Sequence, residues 1–465
     1  MKKLLTFIFL LFAVPVWAAV YHVATDGSGD FTTIAQVNAA TFAAGDEILF
    51  KRGDVWAEDL TFPSCSGVSG NPISLGAYGS GNIPQVNRFI IDAYQHDIEV
   101  SNLYMTGTGI LADACDVYGY NITFRDCTFD GDSQRCNAFV AKSHDVYVYN
   151  VNLYNCIAKN AGNYAGGGGE GGGGIIFSTG TRDCIVDTCI VFNNEEVGIQ
   201  PFTEQAYFGT LDSYNFTIKN CTVYNDVSKL SDAETNRNWM GINIGWNVYN
   251  AVVERNYVYY CKGAGISCDG GAHNNTIKNN LLVNCGRTIW LIANAYGDCK
   301  NNLVYHNTLI SNTVGIFGQM MEVYQTGAAV SSGNIIKNNI TYITTAVTVL
   351  TVYAGVSTVT LDYNCVYNGS GANQGLWYKG SNYTTNGWNT YRTATSQDSN
   401  SIAADPLLTA AYHLKSGSPC INAGVDVGVD TDYDGNPRYQ ADMGSREFGV
   451  FLSEDTTELY NWTVN

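Results

Sequence analysis

Asn275-Thr276-Ile277-Lys278-Asn279-Asn280-Leu281-Leu282 decides the fold, because the chain keeps rewriting it. Phe216-Thr217-Ile218 leads in the same way to Asn220-Cys221 and Val223, and Asn302-Leu303-Val304 leads to His306-Asn307 and Leu309. About ten copies align on the central residues Val100, Phe124, Val148, Val186, Ile218, Val253, Ile277, Val304, Ile336 and Leu361. In each copy, apolar residues at period 2 mark a short strand, a bend follows, and another apolar residue stands beyond it. A third short strand often comes next, as in Gly198-Ile199, Gly241-Ile242, Gly265-Ile266 and Gly315-Ile316. The steps between central residues are 24, 24, 38, 32, 35, 24, 27, 32 and 25, a base period near 24 with insertions. Three short strands with bends in each period make one coil of a parallel β-helix. A leucine-rich repeat needs its own leucine spacing, and a propeller blade needs about twice the period.

The same alignment explains the cysteines. Three residues past the centre stand Cys127, Cys189, Cys221, Asn256, Asn280, Asn307, Asn339 and Asn364. An inward Asn at a bend bonds the bends above and below it, and a Cys fills the same space as a small apolar group. The 14 cysteines are therefore expected to stack in the core, mostly free, rather than to form a metal cluster; no C-x-x-C pair occurs. Asp226, eight residues past its centre, is expected in a second inward column, and His96, His144 and His273 at equivalent bends.

Composition agrees with an all-β chain. Of 465 residues, 45% are apolar and only 14% charged, with 49 glycines and few of the charged helix formers. Acidic residues outnumber basic ones 42 to 24, giving a net charge of -18. That excludes a general nucleic-acid or anionic-membrane binder, which carries a basic footprint. Lys2 and Lys3, the apolar run Leu4–Val16, and small residues at Val16 and Ala18 read as a secretory signal over 1–18. The run is short of a membrane span, and no later stretch supplies one, so a secreted or periplasmic monomer without membrane insertion is expected.

The coils resemble the right-handed parallel β-helix proteins of the pectate-lyase-like superfamily. The resemblance extends to the opening Tyr21-His22-Val23-Ala24-Thr25-Asp26-Gly27 and to Gly45-Asp46-Glu47-Ile48-Leu49-Phe50. It also covers the closing Ser418-Pro419-Cys420-Ile421-Asn422-Ala423-Gly424 and Asp432-Tyr433-Asp434-Gly435-Asn436-Pro437-Arg438. It implies an N-terminal capping helix within 31–42, cap and first coils over 19–95, a β-helix core over 96–370, closing coils over 371–450 and a tail over 451–465. It further implies a polysaccharide as the partner.

Chemistry is expected where the repeat is interrupted, because loops on a rigid scaffold carry function. The Gly-rich run 162–174 is a lid or a linker; no strand precedes it and no Lys-Ser/Thr follows, so it is not a phosphate loop. If the Gly-Ile strands align, Gln200, Asn243, Ser267 and Trp290 form one outward row suited to a sugar chain, with Trp239 nearby. A lyase needs a base and a cation on the uronate carboxylate; Lys262 and Arg237 are candidates for the first and Arg287 for the second. A hydrolase needs two carboxylates about 5–9.5 Å apart, for which Glu196 with Asp269, or Glu195 with Asp232, are candidates. Asp430, Asp432 and Asp434 alternate like the start of a calcium loop, without the distal Glu. Each of these residues also has a plainer reading as a solvated bend or loop residue. The expectation is a polysaccharide lyase, with a hydrolase, an epimerase or a non-catalytic glycan-binding rod as alternatives.

Overall fold

The computed structural model describes residues 18–449, apart from 109–111, 134–135, 144–146, 163–171, 204–210, 227–239, 313–318, 346 and 371–374. The repeat winds these residues into three long sheets. The first has 13 strands, from Val20–Val23 to Val359–Asp362; the second has 11, from Gln85–Val86 to Cys365–Asn368. The third also has 13, from Leu60–Thr61 to Ser381–Thr384. Neighbours in each sheet come from successive coils and pair parallel, as in Ile277↔Val304 and Ile266↔Ile289. The last strand of the third sheet departs from this, turning back antiparallel on Gly375–Tyr378. Thirteen strands at about 4.8 Å make a rod on the order of 60 Å long.

Two neighbouring residues share the work at the bend between the first and second sheets. The first takes the left-handed conformation: Asn220, Asn279 and Asn338 have φ of 55°, 54° and 59°. Asn tolerates that region better than most side chains. The second points inward and builds a ladder. Asn307 Nδ2 donates to Ile277 O at 3.0 Å and to Asn339 Oδ1 at 3.0 Å, while Asn307 Oδ1 accepts from Asn280 N at 2.9 Å. Lower in the rod Cys127, Cys156, Cys189 and Cys221 occupy this column, and all 14 cysteines are free.

One coil is registered differently from the sequence reading. Leu153, not Val148, pairs with Phe124 below and Val186 above. Val148 instead forms a two-residue side pairing with Thr181. Both sites read apolar-x-Asn, so local pattern does not choose between them; the inward stack through Cys156 does. Asp226 is also displaced from its expected inward column. It is exposed, and it accepts from Asn193 Nδ2 at 2.7 Å. His96 and His273 lie in one outer column of stacked rings, His96 on Tyr120 and His273 on Tyr249; His144 lies outside the described residues.

The ends are closed differently from expectation. Within 31–42 only helix α1 (Ile34–Asn38) forms, little more than one turn, capped by Thr33 and Gln36. The longer helix, α2 (Trp388–Thr395), stands at the opposite end of the rod. Beyond it the chain doubles back along the second sheet. Asn338 Nδ2 donates to Val425 O at 2.7 Å, His306 Nδ1 to Asp442 O at 3.1 Å, and Arg438 to Asn279 Oδ1 at 2.9 Å. Leu408, Tyr412 and Tyr433 cover Leu281, Val283 and Ile310 there. No helix among the described residues is long and apolar enough to cross a membrane.

Candidate functional site

The third sheet carries the row expected from the Gly-Ile strands. Asn243 pairs with Ser267, Ser267 with Trp290, and the register Ile199↔Ile242 places Gln200 below Asn243. The row is longer than the sequence suggested. It continues through Glu322 and Thr351 to Trp377 in one direction, and through Ile176 and Val140 to Asp116 in the other. Its middle is not open. Asn243 and Ser267 are buried and bonded to each other, Ser267 Oγ to Asn243 Oδ1 at 2.8 Å. Val140, Ile176, Val197 and Met240 form a small outer apolar cluster against Phe202 and Trp290.

A glycine column makes this flat face possible. A Cβ on Gly241 would sit 2.5 Å from both Gly265 O and Val258 Cγ1. Gly198 is equally tight against Gly241 O and Val223. The column ends at Thr288, whose hydroxyl donates to Met320 O at 2.5 Å.

The candidate catalytic side chains separate into two edges. Glu196 immediately precedes the strand Val197–Pro201, Lys262 lies two residues before Ala264–Cys268, and Arg287 opens Arg287–Ala293. The registers Val197↔Met240, Ile242↔Ile266 and Ala264↔Arg287 set these on one edge, with the coil of Met240 between those of Glu196 and Lys262. Asp269 follows the far end of its strand, roughly 20 Å away at about 3.3 Å per residue. Its carboxylate accepts from Asn294 Nδ2 at 2.8 Å and from the Trp246 indole, and burial raises it. It thereby fixes Trp246, which stacks on the exposed ring of Tyr296 at 4.3 Å. Glu196 and Asp269 are thus not brought together as a carboxylate pair. Desolvation by the protein packed around it also raises Glu196, although its side chain keeps contact with solvent. Arg237, Trp239 and Asp232 lie outside the described residues.

Sequence reading missed the residue that Arg287 meets. Glu322, only 1% exposed, forms an ion pair with Arg287, whose guanidinium lies 4.2 Å from the Trp290 ring. The Tyr353 hydroxyl also donates to Glu322. With its amide turned to satisfy both ends, Gln319 donates to the two Glu322 oxygens at 2.7 and 3.1 Å. The one available signal was an acid at the outward position of a Met-Met-Glu-Val strand, and the broken repeat before it hid the register. A second unforeseen cluster lies far down the face. Asp116 is fully buried between Arg88 and Lys142, the latter at 3.1 Å, and burial together with Asp116 raises Asp113.

The expected calcium ligands do not form a cage. Asp432 is buried and accepts from Asn436 N at 2.7 Å and Glu447 N at 3.0 Å, so its carboxylate organises a turn. Asp434 pairs with Arg446 at 3.0 Å, and Asp430 is exposed. No group of three or more His, Cys, Asp or Glu side chains among the described residues is placed to hold a metal ion.

No protein-family model matches the chain, and no curated protein matches it in sequence. Solved structures do. The pectate lyase Pel9A aligns at 16% identity with a TM-score of 0.50, over 92% of this chain and 96% of its own. XylC in complex with xylose aligns at 12% identity and the same TM-score, over 92% and 98%. PfbA, a surface adhesin of Streptococcus pneumoniae, aligns at 13% identity and a TM-score of 0.43, over 72% and 79%. At such identities the likeness to Pel9A and XylC speaks for architecture alone, and that architecture is the parallel β-helix.

Proposed function

We propose that the chain acts on a polysaccharide laid along the third sheet, and that it cleaves a uronate-containing chain there by β-elimination. One observation carries this reading: the in-register row from Gln200 to Trp377 runs beside the edge that holds Lys262 and Arg287. A row of stacked positions at about 4.8 Å suits an extended polymer better than a compact ligand. In the reaction Lys262 takes the proton next to the uronate carboxylate. The electron pair forms the carbon–carbon double bond, the glycosidic carbon–oxygen bond breaks, and the leaving oxygen takes a proton back from the Lys262 ammonium, directly or through water. Arg287 offsets the carboxylate charge that builds up. Glu196 borders this edge, and Gln200 and Trp290 contact the sugar. The separation of Glu196 from Asp269 argues against a hydrolytic pair, which needs about 5–9.5 Å.

A second reading has a specific observation behind it. Glu322 neutralises Arg287, as suits a face that binds glycans without turning them over. A polysaccharide panel with and without calcium separates the two, following unsaturated-uronate absorbance and reducing ends together. The expected result is both signals rising, with Lys262→Ala lowering turnover by roughly 100-fold or more while the fold is kept. Reducing ends without absorbance favour hydrolysis. Binding with neither signal establishes the non-catalytic rod.

A further inference from the structure

The parallel part of the row on the third sheet ends at Trp377, and the surroundings of that residue differ from those of the rest of the face. Trp377 is 47% exposed, although it sits in register above Thr351 and Glu322. Beside it lies an open depression of about 370 Å³, lined among others by Gln319, Thr348, Thr351, Tyr353 and Trp377. An exposed indole next to hydroxyls and an amide has the composition of a sugar subsite: an apolar ring face meets C–H groups, and the polar groups meet hydroxyls.

Charge narrows what the subsite accepts. No charged side chain among the described residues lines the depression: Arg287 is paired with Glu322, and the Lys379 ammonium is directed to Ser357 O at 3.0 Å. Tyr353 and Gln319 are both oriented by the same buried carboxylate. A sugar carboxylate placed here would find no cation in the lining to replace its hydration. A neutral sugar would lose nothing by entering. Between the coil of Lys262 and that of Trp377 lie four coil steps, about 19 Å along the rod.

We infer that Trp377, Thr351 and Tyr353 form a subsite for an uncharged pyranose, a few residues along the chain from the reacting uronate. The inference rests on the reading that a glycan lies along the third sheet. It makes the substrate a mixed polymer of uronate and neutral sugars rather than a uniform polyuronate.

The test is binding of oligosaccharides of increasing length, neutral, uronate-only and alternating, followed by tryptophan fluorescence at low and high salt. The comparison is among wild type, Trp377→Ala, Thr351→Val and Trp290→Ala, with circular dichroism to verify folding. Trp377→Ala is expected to weaken long mixed oligosaccharides by roughly tenfold, at both salt concentrations, and to leave the shortest bound oligomers unchanged. Thr351→Val, which keeps the shape and removes a hydroxyl, is expected to act in the same direction with a smaller loss. Wild-type affinity at every length in both variants overturns the subsite while leaving the wider reading intact, provided Trp290→Ala weakens binding. A loss confined to uronate-only chains and abolished by salt overturns the neutral assignment. Absence of binding by wild type removes both readings.

Discussion

At the scale of single residues, the fold depends on positions where a side chain must be absent as much as on those where one is present. Gly241 carries no positive φ; what it needs is room. Its neighbours Gly265 O and Val258 Cγ1 sit where a methyl would go. Gly241→Ala should therefore cost about 1–3 kcal/mol through overpacking, read as a lower midpoint in chemical denaturation. An unchanged midpoint would mean that the coils part easily. Such glycines were legible as Gly-Ile pairs, and so was the row Gln200, Asn243, Ser267 and Trp290 that they align. Asn243 and Ser267 were misjudged as open contacts. Burial of an outward side chain depends on what neighbouring coils lay over it, here Met240 and Val197, and no local pattern reports that. Glu322 escaped for the related reason that its partner Arg287 is 35 residues away.

At the scale of the element, the Asn-Asn pairs show how one bend divides two jobs between adjacent residues, conformation at the first and ladder bonding at the second. His306 occupies the first of these positions in its coil, with φ 54°, and it adds a third job. Its Nδ1 donates to Asp442 O, and its Nε2 accepts from Asn338 Nδ2 at 2.9 Å. A second proton would set two donors against each other. Burial and the nearby Arg438 hold the imidazole neutral, well below the usual histidine range. The unfolded chain takes up that proton below about pH 6.5 and the folded chain resists it, so this contribution is complete above that pH and shrinks as pH falls. His306→Gln keeps a donor and an acceptor but cannot charge. Wild type should lose stability relative to it by roughly 1.4 kcal/mol per pH unit on acidification below that point, in paired denaturation curves. The comparison cancels the opposing effect of Glu447, whose carboxyl burial raises to about 7 and which therefore gains stability on acidification. Parallel curves would show that the returning segment leaves His306 accessible. The sequence identified this histidine only as a neighbour of the Asn column, because one partner, Asp442, lies 136 residues away in the closing segment.

At the scale of the whole molecule, the rod is a stack in which each coil contacts its neighbours, with one long-range addition. The closing segment covers the second sheet from Asn279 to Cys365. Removing residues 403–449 should bare Leu281, Val283, Ile310 and Ile340 as one patch, and light scattering should then show self-association at micromolar concentration. A truncated chain that stays monomeric and folded would show the segment to be dispensable. The parallel pairing was readable because a period near 24 imposes it repeatedly; the coil count was not, because the first three strands of the first sheet, before Val100, escape the template. The path of the closing segment was not, because it pairs through scattered turns without a period. The likeness of its motif to other β-helix proteins marked it as an end, not as a cover.

That cover is also synthesised after every coil that it shields. Each coil contacts only its neighbours, so the stack can form before the closing segment is present. The second sheet cannot be sealed until Arg438 and Glu447 have followed, more than 150 residues after Asn279. Between those moments the growing rod is ordered but sticky along one stripe. The interval is set by the rate of chain elongation or transport rather than by the folding of any coil. Whatever shields that stripe in the meantime has a fixed and short period in which to act.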